Sequence, residues 1–132
     1  MTNGKLNRVA ITGMGAICGL GHSLPEIWKK IKDGESGISK VEHSYADKDL
    51  PINIAGEVKN FTINEELLSA KEAPRYDKFI HFALHSANEA YLNAGLDKSH
   101  NYLPEKMGCI IGVGMGGFPF METLPRSFSA LF

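Results

Sequence analysis

The sequence predicts an α/β fold, an incomplete mixed or parallel sheet with flanking helices, on three observations. Short β-branched runs that stop at glycine alternate with longer segments of helical periodicity. One such run, "MGCIIGVG" (Met107 to Gly114), is apolar on both sides, as in strands covered on both faces. The composition is that of an ordinary folded domain, with 43% hydrophobic and 22% charged residues in a chain of 132.

Taken in order, "RVAIT" (Arg8 to Thr12) reads as a buried first strand that ends at Gly13. The loop "GMGAICGLGHS" follows, with glycines at 13, 15, 19 and 21. Ser23 then opens "SLPEIWKKIKDG", where Glu26 three residues on makes a capping box and Pro25 suits the first turn. Leu24, Ile27, Trp28 and Ile31 fall on one face of that helix, and Gly34 is placed to close it. "ESGISKVEHSYADKDLP" is polar and irregular and reads as loop, and "INIAGEV" (Ile52 to Val58) alternates as a second strand.

The longest helical signal is "YDKFIHFALHSANEAYLNAGL". Phe79, Phe82, Ala83, Ala87, Ala90 and Ala94 recur at helical spacing, and Gly95 is placed to stop the helix. The small residues on that face let the helix lie close to a neighbour. Met107 to Gly114 is the third strand. The last residues, "GGFPFMETLPRSFSALF", are apolar at Phe118, Phe120, Phe128, Leu131 and Phe132, an unusual surface terminus. The organisation expected is a partial domain over residues 1–117 and a divergent tail over 118–132.

Composition also excludes function classes. A formal charge of -1 gives no basic field for nucleic acid. No run approaches the roughly 20 apolar residues of a membrane helix. "MTNGKLNRVAITG" lacks the features of a secretory signal, so Cys18 and Cys109 are expected as free thiols of a cytoplasmic protein.

Candidate chemistry is sparse. The strand, the loop "TGMGAICGLG" and the helix together suggest a dinucleotide fingerprint. The third glycine, at 19, is one residue late for GxGxxG, and no acidic residue closes the second strand cleanly. Cys109, inside an apolar run, reads as a small packed hydrophobe. Cys18 lies in the loop ahead of the first helix, with His22 near in sequence. His81 and His85, at i and i+4, have the spacing of two zinc ligands, but no glutamate or further ligand accompanies them and a contact surface is the better reading. No catalytic set, metal site or cofactor site is expected.

Four blocks in order carry a resemblance: "RVAITGMGAICGLGHSLPEIWKKIKDGESGI", "IAGEVKNF", "KEAPRYDKFIHFALHSANEAYLNAGL" and "MGCIIGVGMGG". Together they resemble the N-terminal part of a β-ketoacyl-acyl-carrier-protein synthase, closest to the type II elongating enzymes of bacterial fatty-acid synthesis. The resemblance implies a thiolase-like fold, acyl carrier protein as partner, and a homodimer in the intact enzyme. It implies a decarboxylative Claisen condensation on a cysteine assisted by two histidines. Neither Cys18 nor Cys109 matches that nucleophile, so the chain is expected to be inactive alone. Met115 matches an apolar residue that gates the acyl-chain pocket, with Gly114, Gly116 and Gly117 letting the turn pass close to substrate. Lys71 and Arg75 match basic positions that approach the carrier protein, while Pro74 stands where a basic residue is common. The alternative is a stand-alone, non-catalytic module that binds the carrier protein. The apolar ending predicts a shortened chain, a shifted reading frame or an internal deletion.

Overall fold

The computed structural model describes residues 8–41, 53–98 and 102–117. In chain order it contains helix α1 (Leu24–Lys32), strands β1 (Ser39–Lys40) and β2 (Ile54–Ala55), and helix α2 (Lys78–Asn93). Single 3-10 turns lie at Ala73–Arg75 and Pro104–Lys106. The predicted tail over 118–132, Ile52, His43 and His100 lie outside the described residues.

Both helices end as the glycines predict. Gly34 (φ 72) and Gly95 (φ 68) take the left-handed conformation that side chains resist. At α1 the amides of Gly34 and Glu35 donate to the carbonyls of Ile31 and Lys30 at 3.1 and 3.0 Å. At α2 those of Gly95 and Leu96 donate to Leu92 and Tyr91 at 3.0 and 3.2 Å. This paired pattern, six-to-one outside five-to-two, satisfies carbonyls that a helix end otherwise leaves bare.

Helix α2 is the platform. The segment around Gly13 to Ala16 runs directly over its backbone. A Cβ built on Gly13 would strike the Ala90 carbonyl oxygen, with the Ala94 amide nitrogen 2.6 Å away. One built on Gly15 would strike the Ser86 carbonyl oxygen, with the Ala90 nitrogen at 2.8 Å. Two glycines two residues apart thus sit over Ser86, Ala90 and Ala94, one helical turn apart each. The expectation of a close neighbour on the small-residue face holds at Ala90 and Ala94; Ala87 is exposed instead.

The sheet differs from expectation. Among the described residues it is two-stranded and antiparallel, pairing Ser39 with Ala55 and Lys40 with Ile54. The bond from the Val41 amide to the Asn53 carbonyl, 2.8 Å, extends it. The predicted second strand is therefore shortened, and its partner comes from a segment that polarity marks as loop. Neither Arg8 to Thr12 nor Met107 to Gly114 is a strand. A strand is defined by its ladder, and neither segment has a backbone partner among the described residues.

Their burial is also the reverse of expectation. Val9 is 92% exposed, Ile11 81% and Ile110 100%, and Cys109 is exposed rather than packed. Of the predicted α1 core face, Ile27 is buried at 6%, while Trp28 and Ile31 stay exposed. Ile27 and Ile63 are the buried apolar side chains among the described residues. A domain that closes its own core buries many more.

The close approach gives a direct test. Replacing Gly15 by Ala should destabilise the chain by about 1–3 kcal/mol, the range for forcing atoms into filled space. Gly112→Ala, where a Cβ meets nothing within 4 Å, should leave stability unchanged. Urea unfolding followed by far-ultraviolet circular dichroism compares the two.

Candidate functional site

The N-terminus of α1 carries the partial positive charge that draws anions, and Pro25 and the β-region backbone of Ser23 set its start. No side chain caps it at Ser23, so the expected capping box is not formed. Glu89 of α2 supplies the anion instead. Its Oε1 accepts the Leu24 amide at 2.8 Å and its Oε2 the Ala16 amide at 2.9 Å. One turn on, Asn93 Oδ1 accepts the Met14 amide at 3.2 Å. The position a nucleotide phosphate would take is thus held by a carboxylate of the chain itself. The glycines beside it face helix carbonyl oxygens, which repel phosphate. This geometry rules out the dinucleotide reading of the loop.

Glu26 turns back one residue beyond its expected partner, accepting the His22 amide through Oε2 at 2.9 Å. Its Oε1 takes the Lys30 ammonium at 2.8 Å, and Lys30 also donates to the Leu20 carbonyl at 2.6 Å. The Lys30 hydrogen bond, then the His22 amide, hold the Glu26 carboxyl below its ordinary 4.5. The same bond to Glu26 holds the Lys30 ammonium above 10.5, against some desolvation.

The histidines act as donors to backbone. His85 Nε2 donates to the His22 carbonyl at 2.5 Å, His22 Nε2 to the Lys59 carbonyl at 2.9 Å, and His81 Nε2 to the Ala73 carbonyl at 3.0 Å. His81 and His85 reach different segments, as a contact surface does. Phe61 centres the cluster, edge-on to His22, Phe82 and His85 at 5.4, 5.3 and 5.1 Å. Such pairs contribute roughly 0.5–1.5 kcal/mol each beyond area burial. Among the described residues no group of three His, Cys, Asp or Glu is arranged to hold a metal. No helix among them is long and apolar enough to cross a membrane.

The four residues expected at an acyl pocket divide. Gly116 lies against the Phe79 ring, where a Cβ would come within 2.7 Å of Cζ. Gly117 (φ 73) lies beside the Asp77 carboxylate at the start of α2. Met115 is 76% exposed, and the space around Gly114 is open. A cleft of about 940 Å³ between residues 56–63 and α2 is lined by Phe61, Lys78, His81 and Phe82 and includes none of the four. Lys71 and Arg75 are both exposed, flanking Ala73 and Pro74 at the 3-10 turn.

Sequence reasoning missed Glu89, Asn93 and Phe61. The signal for the first two is polar residues at i and i+4 on α2, each beside an alanine of the close-packed face. Phe61 has none, because its partners, His22 ahead of α1 and Phe82 and His85 on α2, are distant from it in sequence.

With this geometry in hand, comparison with known proteins is informative. The family described as "Beta-ketoacyl synthase, N-terminal domain" matches residues 6–129. The 3-oxoacyl-acyl-carrier-protein synthase 2 of Staphylococcus aureus (strain COL) is 39% identical over 116 residues, 88% of this chain and 27% of the relative. The Synechocystis enzyme of the same name is 34% identical over 122 residues, covering 92% of this chain and 29% of its own length. That of Coxiella burnetii is 34% identical over 124 residues, 94% and 28% respectively. The chain thus spans under a third of the relatives it matches.

Two outcomes are expected of the polar contacts. Glu89→Ala should cost about 2 kcal/mol and Glu89→Gln about half that, since one amide oxygen replaces two acceptors; chemical denaturation reads both. The Glu26–Lys30 pair should stabilise most between the ordinary values of the two groups. That contribution falls away as pH drops through the lowered Glu26 value or rises through the raised Lys30 value. In Lys30→Met the Glu26 carboxyl should titrate closer to 4.5 by NMR, with the His22 amide still holding it somewhat low.

Proposed function

Because the chain belongs to the β-ketoacyl synthase family through its N-terminal domain, we propose that it is part of a fatty-acid-synthesising condensing enzyme of thiolase-like fold. The observation that carries this reading is the match over residues 6–129, in which all four ordered blocks fall. In that enzyme an acyl group moves from carrier protein to a cysteine, malonyl carrier protein loses carbon dioxide, and the carbanion attacks the thioester. Neither Cys18 nor Cys109 is that nucleophile, and the nucleophile and its two histidines come from another part of the enzyme.

This chain's own contribution is shape and docking. Gly116 and Gly117, seated on Phe79 and beside Asp77, hold a turn against the start of α2. The turn carries Met115 outward, where it meets the acyl chain, and Gly114 leaves room beside it. Lys71 and Arg75 face the acidic carrier protein from the 3-10 turn. Residues 1–117 form the enzyme's partial domain, and the intact enzyme is a cytoplasmic homodimer that takes no cofactor. The bare apolar residues at 9, 11 and 110 argue against a self-sufficient carrier-binding module, which would bury them.

The chain alone should show no condensation of acyl with malonyl carrier protein; turnover by it would overturn the proposal. A chimera in which it replaces the matched segment of the Staphylococcus aureus relative should condense them. In that chimera Lys71→Glu with Arg75→Glu should raise KM for the carrier-protein substrate by about tenfold with little change in kcat, as loss of rim charge does. An inactive chimera, or an unchanged KM, would contradict the corresponding part of the reading.

A further inference from the structure

Phe79 stands apart from the other rings of α2. Phe82 and His85 pack edge-on against Phe61, whereas Phe79 is not part of that cluster and is 37% exposed. Its ring meets Gly116 instead. A Cβ built on Gly116 would lie 2.7 Å from Cζ and 2.9 and 3.1 Å from the two Cε atoms. Three adjoining ring atoms at nearly equal distance mean an approach to the face of the ring, over its outer end. Glycine alone allows it, because any side chain there would overlap the ring.

The next residue is seated too. Gly117 holds the left-handed conformation (φ 73) beside the Asp77 carboxylate. Asp77 occupies the cap position of α2 yet makes no side-chain capping bond. The first turn of α2 thus supports residues 116 and 117. The two residues before them lack such support among the described residues: nothing lies within 4 Å of a Cβ at Gly114, and Met115 is 76% exposed. The place of Met115 therefore follows from the height at which Gly116 rests on the Phe79 ring.

We propose that Phe79 is a positioning residue for acyl-chain selection, its ring setting how far Met115 reaches toward the bound chain. The proposal deepens the reading given under Proposed function, on which it rests. Phe79 acts through Gly116 rather than by touching substrate. Removing the outer end of the ring lets the turn settle toward α2 and withdraws Met115, which leaves room for a longer chain. A methyl group on Gly116 lifts the turn and does the reverse.

The test compares kcat/KM for long-chain and short-chain acyl carrier protein in the chimera with the Staphylococcus aureus relative. Phe79→Leu should raise the long-to-short ratio by about tenfold, as a methylene of fit in an apolar pocket does. Phe79→Tyr, which keeps the ring face, should leave the ratio unchanged, and Gly116→Ala should lower it. In a Met115→Ala background Phe79→Leu should no longer move it. In an active chimera, a loss of rate equal for both chain lengths, or a shift in ratio that survives Met115→Ala, overturns the proposal and leaves the family reading intact. A second readout needs no activity. In the isolated chain the Gly116 α protons should carry an upfield ring-current shift by NMR, kept in Phe79→Tyr and lost in Phe79→Leu. Its absence overturns the proposal whatever the chimera does. An inactive chimera with that shift present overturns the condensing-enzyme reading, and the selection role with it, while the seat of Gly116 on Phe79 stands.

Discussion

One carboxylate organises the described part of this protein. Glu89 accepts the amides of Ala16 and Leu24 and so joins the glycine loop, the start of α1 and the C-terminal half of α2 at a single point. A helix start left without an anion exposes several unpaired donors. Here Ser23 does not cap and Glu26 is occupied with His22 and Lys30, so the burden falls on α2. Gly13 and Gly15 are then required by distance: the Glu89 and Asn93 side chains reach the loop amides only because the loop lies against the helix backbone.

From that joint the remaining contacts follow. With the loop fixed, the His22 carbonyl faces His85, and the His22 ring faces Lys59 and Phe61. These bonds bring the segment after β2 onto α2 with little apolar burial beyond Ile27 and Ile63. The result is a well-tied polar scaffold with bare apolar arms, the inverse of a closed domain. In a condensing enzyme such a scaffold would set the start of α2, and with it the turn at Gly116 and Gly117, relative to the rest of the fold.

The sequence was informative wherever the cause is local. Gly34 and Gly95 stop the helices because the left-handed conformation is a property of a single residue, and Pro25 and Ser23 mark the start of α1 for the same reason. Small residues on α2 foretold a close neighbour. What the sequence concealed is relational. The glycines of the first loop are shared by phosphate cradles and by close backbone packing, and only Glu89 across the gap decides between them. The β-branched runs at 8–12 and 107–113 carry the composition of strands, but a strand also needs a partner, and β1 shows that a polar pair such as Ser39 and Lys40 becomes one when a partner is near. Of the expected site, the roles of Gly114, Met115, Gly116, Gly117, Lys71 and Arg75 come from family resemblance, and the seat of Gly116 and Gly117 against Phe79 and Asp77 is a contact the sequence did not foretell.

The most direct measurement of the central claim is residue-resolved hydrogen exchange on the isolated 132-residue chain. The amides of Ala16 and Leu24 should exchange far more slowly than those of Ile110, Ile111 and Val113, and Glu89→Ala should release the first two together while leaving the others as they were. Equal exchange across both groups, or slow exchange at Ala16 and Leu24 that survives the loss of Glu89, would contradict a fold organised by that carboxylate.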